Sequence, residues 1–77
     1  MILNKDELIK YKKKHKISAL RSAYSEQYEV RFRHQNSDNY WTTSTVIYYS
    51  KNKNSHDAVK EKWSSEYTGE LICVTYL

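Results

Sequence analysis

The C-terminal third of the chain constrains the fold most, because it combines a capped helix, a glycine and an apolar strand. Asn54 or Ser55 can cap the first free amides of the helix. An apolar stripe recurs at every fourth position, and the single glycine, Gly69, follows where a left-handed C-terminal cap is expected. The stripe consists of Val59, Trp63 and Tyr67. The sequence therefore predicts an amphipathic helix from Asn54 to Thr68.

The segment from Leu71 to Leu77 is β-branched, aromatic or apolar at almost every position. A strand that is apolar on both faces is typical of the interior of a sheet that is covered on both sides. We therefore predict a central strand here. We also expect the thiol of Cys73, which lies within this strand, to be shielded from solvent.

Two further strands are indicated in the middle of the chain. From Tyr28 to His34, apolar and polar residues alternate, so that the apolar set shares one face. The polar segment Gln35–Asn39 predicts a turn, and the segment from Tyr40 to Tyr49 is rich in β-branched and aromatic residues. Together these segments predict an antiparallel hairpin. Both faces of the second strand carry bulky residues, so the sequence leaves open which face is buried.

The N-terminal segment predicts a second helix. Asn4 and Glu7 have the spacing of a capping box, and a helix from about Lys5 to Lys16 follows. The pattern leaves open how Ile17–Ala23 continues. The order helix, strand, strand, helix, strand predicts a single domain over residues 1–77, of α+β class, with a three-stranded antiparallel sheet. If the last strand pairs with the first, the second helix crosses one face of that sheet.

The positive charge is concentrated in the N-terminal segment. The net charge is +4; residues 1–23 hold seven basic and two acidic side chains, whereas residues 24–77 hold six basic and seven acidic ones. Five lysines lie close together in the first helix. They are Lys10, Lys12, Lys13, Lys14 and Lys16. Such a cluster is a candidate contact for an acidic partner, and the alternative is a solvated helix face.

Arginine and aromatic residues form a second candidate binding surface. Arg31 and Arg33 share the polar face of the first strand with Glu29, which we expect to pair with one of them. If the neighbouring strand presents Tyr40 or Trp41 on that face, guanidinium groups and aromatic rings are interleaved. Such a surface suits a protein interface, or the stacking of bases and the binding of phosphates. The structural alternative is cross-strand pairing within a small sheet.

Patterns that would indicate an enzyme, a metal or a cofactor are weak. A phosphate-binding loop needs several glycines, and the chain has one. His15, His34 and His56 fall in separate elements without the spacing of metal ligands. A pairing of Cys73 with His56 is a candidate for nucleophilic catalysis, and burial of the thiol argues against it. We therefore expect a non-enzymatic protein with no metal and no cofactor.

The sequence also favours a cytoplasmic protein that has no membrane partner. No apolar run approaches the roughly 20 residues of a membrane-spanning helix, and the N-terminus lacks the apolar core of a signal peptide. The single cysteine permits no intrachain disulfide, which fits a reducing compartment.

The C-terminal half carries a resemblance to a known group of proteins. A strand and a polar loop precede Ser55-His56-Asp57-Ala58-Val59, Trp63, Tyr67, Gly69 and Leu71-Ile72-Cys73-Val74. This order resembles small early proteins of tailed bacteriophages, among them the inhibitor of host RNA polymerase, and the compact build resembles some anti-CRISPR proteins. The resemblance covers about residues 46–76 and lies mostly in core positions. It implies a compact sheet-and-helix fold and an inhibitory role, and it transfers no contact residues.

The residue patterns predict a small non-enzymatic binding protein. With the resemblance, they imply a phage or mobile-element inhibitor that docks on a host protein complex that handles nucleic acid, of the RNA polymerase or CRISPR effector type. The predicted partner-binding residues are Lys10, Lys12, Lys13, Lys14, Lys16, Arg31, Arg33, Tyr40 and Trp41. The alternative function is a direct nucleic-acid-binding domain that uses the basic helix and the arginine and aromatic residues of the strand face. The sequence leaves the oligomeric state open.

Overall fold

The computed structural model describes residues 1–15 and 24–77, in which two helices lie against an antiparallel sheet. The helices are α1 (Lys5–Lys14) and α2 (His56–Glu66). The strands are β1 (Leu3–Asn4), β2 (Glu26–Gln35), β3 (Trp41–Ser50) and β4 (Glu70–Tyr76), in the sheet order β1-β3-β2-β4. The predicted α+β class is confirmed. The segment Ile17–Ala23, which the pattern left open, lies outside the described residues.

The prediction of three strands is wrong, because the described sheet has four. In the additional strand, β1, Leu3 pairs with Tyr49 and Asn4 pairs with Tyr48. A strand of two residues is too short to show an alternating pattern in the sequence. The expected pairing of the first long strand with the last is confirmed, since β2 pairs with β4 as well as with β3.

One face of the sheet, which we call the helix-covered face, packs against α2. Val59 and Trp63 of α2 form a buried cluster with Val30, Phe32 and Tyr48 of the two central strands. The apolar stripe predicted for α2 is therefore confirmed at Val59 and Trp63. In β3, Val46 and Tyr48 face this cluster, whereas Tyr49 packs on the opposite face of the sheet. Removing this apolar surface from water is the main stabilising contribution in a domain of this size.

α1 begins at Lys5 as predicted and ends at Lys14, two residues before the predicted end at Lys16. Asn4 Oδ1 accepts a hydrogen bond from the Glu7 amide at 2.8 Å, and Glu7 Oε1 accepts one from the Asn4 amide at 3.0 Å. These two bonds confirm the capping box. α2 ends at Glu66, two residues before the predicted end at Thr68, because the backbone of Tyr67 is already extended.

Gly69 does not cap α2, contrary to the prediction. It lies three residues beyond Glu66, the last residue of the helix, and has a φ of 134°. A Cβ at this position would overlap the carbonyl oxygen of Arg33 in β2. Glycine is therefore required because the chain passes close to β2 as it enters β4.

The prediction that the terminal strand is central and covered on both faces is also wrong. β4 is an edge strand in the described sheet, with β2 as its neighbour. Leu71 and Val74 pack against the core beneath α2, whereas Ile72 and Cys73 are exposed. The physical reason is the position of α1, which contacts β1 and β3 rather than β4. The other face of β4 is therefore covered by neither described helix.

α1 packs on the face of the sheet opposite to α2, at the side formed by β1 and β3. Leu8 of α1 is buried together with Leu3 and Tyr24, and Tyr11 and Tyr49 pack against this cluster. Each face of the sheet thus has its own small core. Within the described residues, neither helix is both long enough and apolar enough to cross a membrane.

A polar cluster joins α1 to α2. Lys62 Nζ lies 2.9 Å from Glu7 Oε1 and 3.7 Å from Glu66 Oε2. Asn4 Nδ2 and the Tyr48 hydroxyl donate hydrogen bonds to Glu66 at 2.6 and 2.8 Å. The hydrogen bond from the Asn4 amide, followed by the contact with Lys62, lowers the pKa of Glu7. The bond to Glu7 raises the pKa of Lys62, and burial, followed by the bond to Glu66, raises that of Tyr48.

Candidate binding surface

The register of the β2–β3 hairpin decides which aromatic residue joins the two arginines. Gln35 pairs with Trp41 and Arg33 pairs with Thr43. Because paired residues share a face and alternate residues point the same way, Trp41 lies on the face that carries Arg31 and Arg33. We call this exposed surface, on the side away from α2, the open sheet face. It consists of Arg31, Arg33, Trp41, Thr43, Thr45, Glu70, Cys73 and Thr75.

Side-chain hydrogen bonds in the turn fix this register. Asn36 Oδ1 accepts hydrogen bonds from the amides of Asp38 at 2.9 Å and Tyr40 at 3.1 Å. Asn39 has a positive φ of 64°, a conformation that asparagine adopts more readily than most residues. The polar turn predicted between the two strands is therefore confirmed, together with the antiparallel hairpin.

Arg33 makes the principal contacts on the open sheet face. Its guanidinium carbon lies 5.0 Å from the centre of the Trp41 ring, within the range of a cation–π interaction. Its Nη1 lies 3.6 Å from Glu70 Oε2. Among the described residues, Glu29 forms an ion pair with neither Arg31 nor Arg33, so the predicted pairing of Glu29 with one of them is wrong. β4 brings Glu70 directly opposite Arg33, whereas Glu29 lies opposite Thr75.

The two aromatic candidates occupy different positions. Trp41 is the first residue of β3 and is 48% exposed, with its ring beside Arg33. Tyr40 precedes the strand at the hairpin turn and is 72% exposed. Trp41 therefore belongs to the open sheet face, whereas Tyr40 is available to a partner that reaches the end of the hairpin.

The basic helix lies on the same side of the sheet as the open sheet face. α1 packs over Tyr49, and Tyr49 and Trp41 point to the same side because they are separated by an even number of residues in β3. Eight residue steps along a strand correspond to about 26 Å. The lysine cluster and the Arg33–Trp41 pair are thus at opposite ends of one side of the molecule.

The lysines of α1 face outward. Lys10, Lys13 and Lys14 are exposed and Lys12 is half-buried. Among the described residues, none of these four lysines forms an ion pair with a carboxylate. Lys16, the fifth predicted contact residue, lies outside the described residues. Lys10, Lys13 and Lys14 are therefore accessible to a partner.

A groove of about 780 Å³ lies at the hairpin end of the molecule and adjoins the open sheet face through Trp41. Phe32, His34 and Tyr67 also line it. The rings of Phe32 and Tyr67 are 5.1 Å apart, and His34 Nε2 lies 2.7 Å from Ser44 Oγ in a hydrogen bond. The volume is in the range of pockets that hold small molecules or side chains. This groove extends the candidate surface around the end of the hairpin.

Cys73 is exposed, so the prediction of a thiol shielded from solvent is wrong. Cys73 lies opposite Arg31 on the open sheet face, whereas the ring of His56 packs against Tyr28 on the helix-covered face. The Cys73–His56 pair that the sequence raised as a catalytic candidate is therefore not formed. Within residues 1–15 and 24–77, no three His, Cys, Asp or Glu side chains are grouped so that they could hold a metal ion.

Glu70 is the member of this surface that sequence reasoning missed. Its position directly after Gly69 marks it as the first residue of the last strand. Its partner could not be assigned from that signal. The pairing of β2 with β4 shifts register between Arg31 and Phe32, so a regular ladder extrapolated along the strand misses the pair with Arg33.

No family model, no curated protein and no solved structure matches this chain. The resemblance to small phage inhibitors therefore stays a prediction from the sequence.

Proposed function

We propose that this protein is a small non-enzymatic binding protein of phage or mobile-element origin. It docks in the host cytoplasm on a protein complex that handles nucleic acid, of the RNA polymerase or CRISPR effector type, and inhibits it. The principal support is the exposed placement of Arg31, Arg33 and Trp41 on one face of the sheet, on the side that also carries the basic helix. Arginine and tryptophan are the residue types most enriched at interface hot spots.

The two ends of this side would contribute differently to binding. The exposed lysines Lys10, Lys13 and Lys14 would accelerate association with an acidic surface, since charge at the rim of an interface acts mainly on the association rate. Trp41 would supply the apolar anchor, because its half-exposed ring can still be buried by a partner. Arg33 orients that ring and brings its own hydrogen-bond donors to the contact.

Direct binding of nucleic acid is the second candidate, and the outward-facing lysines together with Arg31 favour it. The contacts of Arg33 argue against direct binding of nucleic acid. Glu70 lies 3.6 Å from the guanidinium and would repel a phosphate, and the guanidinium occupies ring surface of Trp41 on which a base would stack. The protein partner is therefore the better-supported candidate.

Binding at several salt concentrations separates the two candidates. The probes are purified bacterial RNA polymerase, a guide-loaded Cas9-type effector, and a fluorescent single-stranded DNA of about 20 nucleotides. Direct DNA binding should weaken with a log–log slope of about −0.7 per phosphate contacted. Docking on a protein complex should lose association rate with salt but keep most of its affinity. Binding to the DNA probe with failure to bind either complex would refute the primary proposal.

Two variants test the surface itself. Trp41→Ala should weaken docking by roughly 30-fold, the effect of a hot-spot side chain, whereas Thr43→Ala on the same face should leave it almost unchanged. The triple replacement of Lys12, Lys13 and Lys14 by glutamate should reduce mainly the association rate. Circular dichroism would confirm that each variant is folded. Docking of Trp41→Ala with wild-type affinity would exclude the open sheet face as the contact.

A further inference from the structure

The outer edge of β4 carries backbone groups that have no strand partner in the described sheet. β2 lies on one side of β4, and β4 is the last strand in the sheet order. The Leu77 amide donates a hydrogen bond to the Gln27 carbonyl at 3.0 Å. Because these groups alternate along an antiparallel ladder, the N–H and C=O groups of Val74 and Tyr76 point away from β2. They form a short row of donors and acceptors directed outward.

The two edge strands of the sheet differ in how well they are protected against pairing with another strand. β1, at one edge, has two residues and leads directly into α1. β4, at the other, has seven residues and contains neither lysine nor proline. Its one charged side chain, Glu70, is paired with Arg33, and Ile72 is 48% exposed. Lysine, proline and short length are among the features that keep edge strands from pairing, and β4 has none of these three. A β-bulge is another, and the register shift of the β2–β4 ladder affects only the start of β4.

We propose that β4 pairs antiparallel with β4 of a second copy of this chain, so that two four-stranded sheets join into one. This inference does not rest on the proposed function. The register shift opposite Arg31 and Phe32 makes the start of β4 irregular. The regular part runs from Cys73 to Tyr76 and continues to Leu77, which follows the strand and bonds to Gln27. The centre of that part is Thr75. A two-fold axis there places Val74 of each copy opposite Tyr76 of the other, and the outward groups of these residues can form four hydrogen bonds.

The side chains of β4 are complementary to themselves in this register. Val74 opposite Tyr76 is a β-branched and aromatic pair, and Thr75 opposite Thr75 is a pair of hydroxyl side chains, both of which are favourable across strands. No charged residue lies opposite another. A second copy is therefore the occupant that fits each position of the regular part of β4.

The charge distribution also permits this pairing. The lysine-rich α1 contacts β1 and β3, on the far side of the sheet from β4. In the joined sheet the two β1 strands are seven strand spacings apart, or about 33 Å. That separation is several times the Debye length of about 8 Å at physiological ionic strength. The basic helices of the two copies would therefore not oppose the pairing.

Amide hydrogen exchange at low and high protein concentration tests the proposed register. Because an edge contact is smaller than a standard interface, the measurement should cover about 20 µM to about 2 mM. A reducing agent excludes a disulfide through Cys73. The amides of Val74 and Tyr76 should exchange more slowly at high concentration, whereas those of Thr75 and Leu77, which point toward β2, should not change. A monomeric mass throughout this range by analytical ultracentrifugation would overturn the proposal.

A charge variant and its matched control test the contact. Thr75 is exposed, so Thr75→Lys should leave the monomer folded while placing two lysines opposite each other in the pair. It should abolish the dimer. Ser64→Lys adds the same charge on the exposed surface of α2 and should not affect dimerisation. A dimer that survives Thr75→Lys would place the contact elsewhere and refute the pairing.

Disulfide trapping tests the alignment directly. In a Cys73→Ser background, Thr75→Cys brings two cysteines opposite each other at a non-hydrogen-bonded position, where Cα atoms are about 4.5 Å apart. This variant should form a disulfide-linked dimer on mild oxidation. Val74→Cys in the same background places the two cysteines on a diagonal of about 7–8 Å and should not. Faster crosslinking at position 74 than at position 75 would exclude the Thr75-centred register.

Discussion

Lys62 Nζ of α2 lies 2.9 Å from Glu7 Oε1 of α1, and this ion pair joins residues that are 55 positions apart in the sequence. Lys62→Met keeps the aliphatic stem and removes the charge. Because both side chains are partly solvated, we expect the free energy of unfolding to fall by about 1 kcal/mol. Urea denaturation followed by circular dichroism measures the change. Lys60→Met, at an exposed position of the same helix, is the control and should have almost no effect.

The same ion pair predicts a pH dependence of stability. The pKa of Glu7 is lowered in the folded protein, first by the Asn4 amide and then by Lys62. The contribution of Glu7 is therefore present above its ordinary pKa of 4.5 and is lost as the pH falls through the lower folded-state value. The difference in unfolding free energy between the wild type and Glu7→Gln should shrink between about pH 6 and about pH 3. A difference that is constant over this range would contradict the assignment.

The two tryptophans should differ sharply in their contribution to stability. Trp63 is 6% exposed, and the centre of its ring lies 5.4 Å from that of Phe32, whereas Trp41 is 48% exposed. Trp63→Ala should reduce the free energy of unfolding by about 3–5 kcal/mol, as expected for a large ring removed from a core. Trp41→Ala should cost less than about 1 kcal/mol. Thermal unfolding of both variants measures the contrast, and equal losses would show that Trp63 is not the core residue.

The indole nitrogen of Trp63 gives a second test of the same site. Trp63 Nε1 is buried and has no hydrogen-bond partner among the described residues. Phenylalanine removes this polar group and keeps an aromatic ring, so the remaining loss comes from the smaller volume. Trp63→Phe should therefore be clearly more stable than Trp63→Ala, with a loss below about 2 kcal/mol. Comparable losses for the two variants would indicate that the aromatic ring itself contributes little.

Gly69→Ala should be destabilising even though the residue is exposed. The φ of 134° is unfavourable for a residue with a Cβ, and that Cβ would overlap the carbonyl oxygen of Arg33. The conformational strain alone is expected to cost about 1–3 kcal/mol. Thr68→Ala, at the preceding exposed position, serves as the control and should be close to neutral. If Gly69→Ala unfolds at the wild-type temperature, the close passage of the chain beside β2 is wrong.

Most features that the sequence predicted correctly have partners that lie close together along the chain; the pairing of β2 with β4 is an exception. Asn4 and Glu7 form the capping box across three residues, and Asn36 organises the turn through amides two and four residues away. The strand faces of β2 follow from alternation alone. In contrast, Ser55 occupies the N-cap position of α2 without bonding to the helix amides, because its hydroxyl lies 2.7 Å from Ser50 Oγ in β3. The contact between Ser55 and Ser50 depends on how β3 and α2 pack, so no local sequence pattern predicts it.

The errors in the candidate surface have the same origin. An apolar strand such as β4 shows that its side chains can be buried, but not which element covers them. Where α1 packs is decided by the cluster of Leu3, Leu8 and Tyr24, which draws the helix to the β1 side of the sheet. The Arg33–Trp41 contact required the hairpin register, and the contact of Arg33 with Glu70 required the irregular β2–β4 ladder as well.

Cys73 tests whether the face of β4 away from α2 is uncovered, as in the structure, or covered, as the sequence predicted. Its side chain is exposed on the open sheet face, so the thiol should react in the native protein. We expect the rate with a thiol-specific colorimetric reagent to be within about 10-fold of the rate in urea, measured at low protein concentration where strand pairing between copies is negligible. Cys73→Ser should give no signal. A thiol on a covered face would instead react only as fast as the protein opens, and such slow kinetics would contradict the exposure of Cys73 on the open sheet face.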